Sequence, residues 1–293
     1  MQATRRPLSD DRWHFQHGPI DVVLQVDGPE EACQQAVSAA WSRFQTVLPE
    51  LVSELPLLRA PVKQSQAHHF KGVVAQRMWL AAHDLAWATP DGFVTPMAAV
   101  AGAVAQEMVS VLSQHGVRRA YVNNGGDIAL HLQPGESWRI GWVSDLQHAL
   151  ASDPELALDS DGRFEVDHCM PVRGVATSGW GGRSFSLGVA DSVTVLAQTA
   201  AHADVAATLI ANAVNITHPE IVRRPANSLR DDTDLGDRLV TVSVPSLPPA
   251  LVQTALQLGL DCARGMQARG QLHAAFLCCQ GQMVLAQPLE CLV

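Results

Sequence analysis

Three stretches of the sequence hold more glycine, hydroxyl and carboxylate groups than packing alone requires. The first is Asn123-Asn-Gly-Gly-Asp127, whose two glycines lack a Cβ and let the backbone pass close to a ligand. Its amides are suited to a phosphate, and its carboxylate to a ribose hydroxyl. Asn-Gly is also the strongest signal for a hairpin turn, so a plain β-turn is the alternative. The cofactor-binding residues predicted here are Asn124, Gly125, Gly126 and Asp127.

The second stretch is Gly174-Val-Ala-Thr-Ser-Gly-Trp-Gly-Gly-Arg-Ser184, a strand that leads into a glycine-rich loop. Such a loop aligns backbone amides and hydroxyls around a phosphate. Arg183 adds a planar cation that can clamp phosphate oxygens, which gives it both a binding and a catalytic role. The cofactor-binding residues predicted here are Thr177, Ser178, Gly179 and Arg183.

The third stretch, Ala203-Asp-Val-Ala-Ala-Thr208, has helical spacing. Residues four apart lie on one face of a helix, so Asp204 and Thr208 stand one turn from each other. A carboxylate and a hydroxyl, completed by backbone carbonyls from a neighbouring loop, form a suitable oxygen-ligand set for Mg²⁺. The alternative is that Asp204, in the first turn, only interacts with the helix dipole.

Composition excludes several classes of protein. With 47% apolar and 17% charged residues the chain is an ordinary globular one, and its net charge of -9 without any Lys/Arg run argues against binding nucleic acid. The N-terminus has no signal-peptide pattern, and no apolar run is expected to approach the roughly 20 residues that span a bilayer. The six cysteines show no C-x-x-C spacing and are expected to be reduced. We therefore expect a cytoplasmic protein without a membrane partner.

The elements that must position these stretches can be read from periodicity and turn signals. Helices are predicted from Pro29 to Leu57, Lys71 to Ala86, Met97 to His115, Ala203 to Val214 and Pro248 to Arg269. Strands are predicted over 20–26, 120–123, 127–132, 138–143, 173–177, 184–189 and 239–244, with a closing hairpin of 273–279 and 283–287. Residues 144–167 are expected to form a surface excursion.

Helices and strands segregate along the chain rather than alternate, which favours an α+β fold. We predict one domain over 1–293 with two sub-layers, a flexible tail over 1–12 and a mobile loop over about 217–237. Gly72-Val-Val-Ala-Gln-Arg-Met78 and Gly102-Ala-Val-Ala-Gln-Glu-Met108 share a short echo, which records either an internal duplication or convergence between alanine-rich helix starts. The alanine-rich face of Met97–Met108 is either core or the interface of a homodimer.

Taken in order, Val122–Asp127, Val175–Gly179 and Ala203–Thr208 resemble the motifs of the FAD:protein FMN transferase-like (ApbE-like) superfamily. The resemblance is closer to its cytoplasmic, UPF0280-type branch. The blocks that carry this second likeness are His17-Gly-Pro-Ile-Asp21, Thr95-Pro-Met-Ala-Ala-Val-Ala-Gly102, Ala176-Thr-Ser-Gly-Trp-Gly-Gly-Arg-Ser-Phe-Ser-Leu-Gly188 and Ala190-Asp191. The resemblance as a whole covers roughly residues 13 to 290.

The resemblance implies a T-fold-like architecture of antiparallel sheets packed with helices, holding FAD. It implies that Mg²⁺ lies against the pyrophosphate, and that its ligands are the Ala176 carbonyl, Asp204 and Thr208. The Gly-Gly-Asp block and the helix that follows Thr95 would border the flavin or ribose, so Thr95 joins the cofactor-binding residues. A threonine hydroxyl of an unknown acceptor protein, or water, would be the nucleophile.

Two departures separate this chain from the transferases. Their Ala-Thr-Ser-Gly block leads to a His-x-Ile-Asp-Pro segment, whereas this chain has Arg183-Ser-Phe-Ser-Leu-Gly-Val-Ala-Asp191. His202 or His168 would have to supply the missing base. The lipoprotein leader of the transferases is also absent.

Three functions remain open at this stage. The first is a Mg²⁺-dependent transferase or pyrophosphatase that acts at the FAD pyrophosphate. The second is a non-catalytic flavin- or nucleotide-binding protein, which the missing His-x-Ile-Asp-Pro segment favours. The third is an enzyme that acts on a different cofactor, such as a pterin.

Overall fold

The computed structural model describes residues 2–63, 67, 69–89, 91–142 and 162–287. The chain forms two compact units. The first comprises Met1–Trp138, Glu165–Ala176 and Ala197–Val205, and the second comprises Arg139–Phe164, Thr177–Leu196 and Ala206–Val293. The prediction of one domain with two sub-layers stays a prediction.

The strands of the first unit are antiparallel neighbours in chain order. They are β1 Thr4–Pro7, β2 Arg12–His17, β3 Ile20–Asp27, β4 Arg119–Asn124 and β5 Asp127–Leu132, and β5 pairs next with β8 Gly174–Ser178. Every second side chain of β3 is buried, which is the pattern of a strand with one face on a core. The first unit therefore has an antiparallel sheet with one face on a core, and the polar turn between β4 and β5 lies at the end of these two strands.

Helices cover the sheet of the first unit. They are α1 Glu30–Ser53, α2 Leu55–Leu58, α3 Val73–Leu85 and α4 Val100–Leu112, and α4 packs against β4, β5 and α1. Ala103, Val104, Ala105 and Met108 are fully buried within this chain. The alanine-rich face is thus core, and the homodimer stays a prediction without support from this face.

One segment passes a length and composition test for membrane spanning. Pro96–His115, which is α4 with a 3-10 turn at each end, has 20 residues and a mean hydropathy of 1.3 over its most apolar window. The expectation that no apolar run approaches this length is therefore wrong. The window is 56% buried inside the structure, however, as in the core helix of a globular protein.

A cluster of ion pairs joins α1, α3 and α4. Arg43 donates to Glu107 at 2.6 Å and to Glu50 at 2.8 Å, while Arg77 donates to the other carboxylate oxygen of Glu107. The hydrogen bonds from Arg43 lower the pKa of Glu50. Arg77 and Glu107 occupy corresponding positions in the two echoed segments, so the echo places the two halves of an ion pair on neighbouring helices.

The second unit has its own antiparallel strands, β9 Ser192–Ala197, β12 Ala274–Cys279 and β13 Gln282–Ala286, and α6 Pro249–Ala268 packs on β12 and β13. β10 Val222–Pro225 pairs separately with β11 Leu239–Ser243, and β6 Ser137–Trp142 pairs with β7 Gly162–Asp167. Helix α5, Ala200–Ala213, contributes residues to both units, as do β6, β7, β8 and β9. The described chain thus has six α-helices with antiparallel strands, and the α+β class is confirmed.

The predicted strand over 184–189 is wrong, and β9 was missed. The side-chain oxygen of Asn212 accepts hydrogen bonds from the Leu187 amide and the Ser186 hydroxyl. The Ser186 carbonyl oxygen accepts from the Thr241 amide of β11, and the Val189 amide donates to the Val214 carbonyl oxygen, so the backbone groups of this stretch do not form a regular ladder with one neighbouring strand. Gly188 also lies so close to α5 that a Cβ there would stand 1.9 Å from the Ala211 carbonyl oxygen.

Two segments expected to lack regular structure contain short strands. Thr4–Pro7, inside the predicted flexible tail, forms β1, and Val222–Pro225, inside the predicted mobile loop, forms β10. Most of the surface excursion expected over 144–167 lies outside the described residues, and its last six residues form β7. Each of these strands has an exposed side, which weakens the alternating apolar signal on which sequence reading depends.

Candidate functional site

The first predicted stretch is the turn of the β4–β5 hairpin. Gly125 and Gly126 have φ values of 68° and 114°, conformations that side chains rarely adopt. The side-chain oxygen of Asn123 accepts a hydrogen bond from the Gly126 amide at 2.8 Å. The hairpin turn that was the structural alternative is thus present, both glycines are exposed, and the cofactor-binding role of the turn stays a prediction.

Asp204 lies in the first unit, where its carboxylate meets the N-terminus of α4. It accepts a hydrogen bond from the Gly102 amide at 2.9 Å and another from the Ala101 amide. Amides in the first turn of a helix have no partner within the helix, so Asp204 caps α4 from a different element. The dipole interaction predicted as its alternative role therefore exists, but with α4 rather than with its own helix.

The electrostatic environment of Asp204 is unfavourable to its charge. Burial raises the pKa of Asp204 well above its ordinary value, the nearby Asp127 raises it further, and the two amide bonds lower it. Asp127 is thus close enough to repel a second negative charge. Two carboxylates held in this way are the arrangement that a divalent cation stabilises.

Asn124 completes this cluster in the first unit. It is buried, and its side-chain amide donates to the Ala101 carbonyl at 3.1 Å. The end of β4, the first turn of α4 and the first turns of α5 therefore meet at Asn124, Asp127, Gly102 and Asp204. This group, Asn124–Asp127 with Ala101, Gly102 and Asp204, is called the carboxylate cluster below.

The close approach of α5 to α4 requires glycine at position 102. A Cβ there would stand 2.2 Å from the Ala200 carbonyl oxygen and 2.9 Å from the Asp204 Cβ. Gly174 has the same role under the start of α5, since its Cβ would stand 2.3 Å from the Ala200 nitrogen. These contacts are between backbones, which cannot move aside as a flexible side chain can.

Replacing Gly102 by alanine is expected to lower the free energy of unfolding by about 1 to 3 kcal/mol, the usual cost of overpacking. Gly72, at the corresponding position of the echoed segment, is the matched control. Its added Cβ would meet the end of the Glu54 side chain at 3.0 Å and the Ala75 Cβ at an ordinary 3.8 Å, so Gly72→Ala should cost about 1 kcal/mol or less. Urea unfolding of both variants tests the difference, and equal losses would contradict the close packing of α4 on α5.

The two candidate bases have different surroundings. The His168 side chain contacts the backbone of β5, since its Nδ1 lies 2.8 Å from the Leu132 carbonyl oxygen. His202 lies in the first turn of α5, with Nδ1 at 2.8 Å from the Thr199 hydroxyl and Nε2 at 3.2 Å from an Asp84 oxygen. His202 thus lies between a hydroxyl and a carboxylate, whereas His168 contacts a backbone carbonyl, and the role of either as a base stays a prediction.

The remaining predicted residues of the first unit are buried. Thr95 is almost inaccessible, and Ala176 is fully buried. Thr95 lies just before the turn that leads into α4. Ala176 lies in β8, which pairs with β5, and β5 packs against α4. Their assignments to the cofactor and the metal stay predictions.

The other predicted residues belong to the second unit. Thr177 shares a hydrogen bond of 2.9 Å with the Thr194 hydroxyl, Ser178 is half-buried and Arg183 is exposed. Gly179 packs on the chain at Asp191, where a Cβ would stand 2.2 Å from the carbonyl oxygen. Thr208 is half-buried, one turn beyond Asp204 in α5.

Asp191 fixes the start of the glycine-rich loop, a role that sequence reading missed. Its carboxylate accepts hydrogen bonds from the Trp180 indole at 3.2 Å and from the Gln280 amide. Gln280 has a φ of 45° in the β12–β13 turn, so one carboxylate ties that turn to the loop. The sequence around Trp180 does not indicate Asp191 as its partner, because Asp191 lies eleven residues further along the chain, just before β9.

The sequence of this chain matches a known protein family. A family model described as "AbpE bacteria" matches residues 5–285. The chain belongs to this family. The resemblance to the ApbE-like superfamily drawn from the sequence is therefore confirmed.

The chain is also similar to curated relatives that are named UPF0280 proteins. A UPF0280 protein of Methanopyrus kandleri is 39% identical over 176 residues, which are 56% of this chain and 64% of that protein. A UPF0280 protein of Methanothermobacter thermautotrophicus is 36% identical over 152 residues, 52% of this chain and 54% of the relative. The chain thus spans between half and two thirds of these relatives.

The apo flavinyl transferase ApbE of Pseudomonas stutzeri superposes with a TM-score of 0.48 at 15% identity, covering 97% of this chain and 93% of that one. A variant of the flavin transferase ApbE of Vibrio cholerae gives a TM-score of 0.48 at 12% identity, with 99% of each chain covered.

Proposed function

We propose that this protein is a Mg²⁺-dependent flavin-nucleotide transferase or pyrophosphatase that acts at the pyrophosphate of FAD. The carboxylate cluster is the observation that supports this proposal most directly. Within it, Asp204 and Asp127 crowd two negative charges beside the amides of a helix N-terminus. Membership in the AbpE family and the names of its flavin-transferring neighbours support the same substrate.

The residues of the cluster fit a divalent cation. Burial and the nearby Asp127 both oppose ionisation of Asp204. A cation bound beside the two carboxylates would offset the electrostatic repulsion between them. Among the described residues, no group of three or more His, Cys, Asp or Glu side chains is placed to hold a metal. The proposed ligands are those that the family resemblance implies, namely Asp204, the Ala176 carbonyl and the Thr208 hydroxyl, with waters completing the shell as Mg²⁺ prefers. When bound, Mg²⁺ neutralises charge on the pyrophosphate oxygens.

The chain supplies positioning and hydrogen-bond donors. The Gly125–Gly126 turn and Thr95, just before α4, are proposed to border the flavin or ribose, and Thr177, Ser178 and Arg183 are proposed to bind phosphate oxygens. Phosphoryl transfer depends on such positioning and on charge stabilisation more than on covalent help. A chain that lacks the His-x-Ile-Asp-Pro segment can therefore retain the reaction.

The proposed partners are the small-molecule cofactor and an acceptor hydroxyl. A cytoplasmic location is proposed as well. The five described cysteines are free thiols, and burial raises the pKa of Cys262 to about 11 and that of Cys279 to about 12, which keeps both protonated and unreactive.

The test is to incubate the purified full chain with FAD and MgCl₂ and to follow AMP and FMN by chromatography. We expect release of AMP that stops when EDTA is added. FAD that binds and is recovered intact would replace the enzyme by the non-catalytic binding protein. A chain that rejects FAD but retains a pterin would identify the third alternative.

A further inference from the structure

A hydroxyl, an imidazole and a carboxylate form a continuous chain at the start of α5. The Thr199 hydroxyl lies 2.8 Å from Nδ1 of His202, and Nε2 of His202 lies 3.2 Å from Asp84 in α3. The other oxygen of Asp84 lies 3.6 Å from His83, whose ring stacks on Trp79 at 4.5 Å. All of these residues belong to the first unit.

The hydrogen bonds assign the protons of this chain. A carboxylate accepts, so Nε2 of His202 donates its hydrogen to Asp84. In the neutral imidazole with this tautomer, Nδ1 accepts the hydrogen of the Thr199 hydroxyl. This is the order of groups that activates a hydroxyl nucleophile, in which a base contacts the hydroxyl and a carboxylate orients the base.

The position of Thr199 favours charge on its oxygen. Thr199 precedes the first residue of α5, and its Oγ1 also accepts a hydrogen bond from the His202 amide at 3.2 Å. Amides at a helix N-terminus stabilise negative charge, which would develop both on the attacking oxygen and on a phosphoryl group that approaches it. Capping of α5 explains the amide bond, but it does not require the imidazole or Asp84.

Thr199 also shares its neighbours with the carboxylate cluster. The carbonyl of Ala200, the next residue, is the atom that Gly102 approaches, while Gly174 lies under Thr199 itself. Asp204 follows one turn later in α5 and bonds to that same Gly102. The hydroxyl and the proposed pyrophosphate site are therefore built on one junction of α4, α5 and β8.

We propose that Thr199 is an acceptor in this chain for the flavin-phosphoryl group, with His202 as its base and Asp84 as the residue that positions the base. The proposal rests on the proposed transfer from FAD and names an acceptor for it. It makes the protein a self-modifying one, which carries FMN in phosphodiester linkage at the N-terminus of α5.

The step balances without an oxidant or reductant. Oγ1 of Thr199 forms a bond to the phosphorus that bears riboflavin, and the bond from that phosphorus to the bridging oxygen breaks. AMP leaves with the bridging oxygen, and the threonine proton passes to Nδ1 of His202. The resulting imidazolium is held by Asp84 until the proton is released to AMP or to water, and the flavin ring stays oxidised throughout.

The experiment treats the full chain with FAD and MgCl₂, denatures it in acid, removes free flavin and measures flavin that stays on the polypeptide. Peptide mass mapping then locates it. We expect flavin on Thr199 in amounts equal to the AMP released. Thr199→Ser should retain labelling, and Thr199→Asn should abolish it while preserving the helix cap, because asparagine caps as well as threonine does.

Variants of the relay test the two other roles. His202→Gln should slow labelling by about a hundredfold or more, the usual contribution of a general base. Asp84→Asn should lower the ratio of covalent flavin to free FMN by about tenfold or more, since the imidazole would lose its orientation. A merely structural role of Asp84 would leave that ratio unchanged.

The failures are distinguishable. AMP released with an equal amount of free FMN, and no flavin on the chain, would overturn Thr199 as acceptor and uphold the proposed function. Labelling that persists in Thr199→Asn, or that maps to another residue, would overturn it as well. No AMP release at all would overturn both proposals.

Discussion

Asp204→Asn is expected to lower the rate of AMP release from FAD by about a thousandfold or more while leaving the fold intact. The amide oxygen of asparagine can still accept hydrogen bonds from Ala101 and Gly102, so the N-terminus of α4 keeps its cap. The negative charge that would hold Mg²⁺ is lost, and electrostatic stabilisation of this kind contributes several kcal/mol to a transition state. Chromatography of AMP at saturating FAD and MgCl₂ measures the effect.

The stability of the same variant distinguishes a ligand from a structural residue. The pKa of Asp204 is raised in the folded chain, so its proton is held more tightly there than in the unfolded chain. Its contribution to stability is therefore present in acid and is lost as the pH rises towards the raised pKa. In EDTA at neutral pH, Asp204→Asn should be as stable as the wild type or more so in urea unfolding. Asp204→Ala, which removes the cap, should lose about 1 kcal/mol.

The control is Asp261→Asn, which removes an exposed carboxylate from α6 and should leave AMP release unchanged. Wild-type rates in Asp204→Asn would refute the metal assignment. A large loss of stability in Asp204→Asn would instead show that the charge itself holds α4 in place, and it would assign the carboxylate to the fold.

The sequence predicts the elements of this fold well where one face of an element is buried. The alternation in Ile20–Val26 and the alanine-rich periodicity of 97–115 each have an apolar face that packs, and the structure has β3 and α4 there. β1 and β10 were missed because their residues are exposed or half-exposed and rich in arginine. The wrong strand at 184–189 arose from an apolar stretch whose backbone bonds to the Asn212 side chain, to Val214 and, at Ser186, to β11, without forming a regular ladder.

The site was predictable in its residue types but not in its contacts. Spacing along one helix showed that Asp204 and Thr208 share a face, because that relation is local. It could not show that Asp204 caps α4, since the partners are a hundred residues apart and the only trace is a glycine at position 102. Thr199 and Asp84 were missed for the same reason: a hydroxyl before a helix has the pattern of an ordinary cap.

Glu107→Ala is expected to lower the free energy of unfolding by about 3 to 5 kcal/mol, the cost of removing one partner from a buried ion pair. The Glu107 side chain is only 10% exposed, and it accepts from Arg43 in α1 and from Arg77 in α3. Its removal would leave two guanidinium groups facing each other between three helices, with Glu50 as the remaining partner of Arg43. Urea unfolding at neutral pH measures the loss.

The matched control is Glu31→Ala, in which an exposed glutamate in the first turn of α1 loses a hydrogen bond of 3.2 Å from Gln35 and its interaction with the helix dipole, and it should change stability by about 1 kcal/mol or less. A loss in Glu107→Ala no larger than in this control would mean that water replaces the carboxylate in the cluster. Arg77 and Glu107 stand at matching positions of the two similar segments, in α3 and α4. A large loss would show that the ion pair between these positions stabilises the packing of α3 against α4, the helix whose N-terminus Asp204 caps.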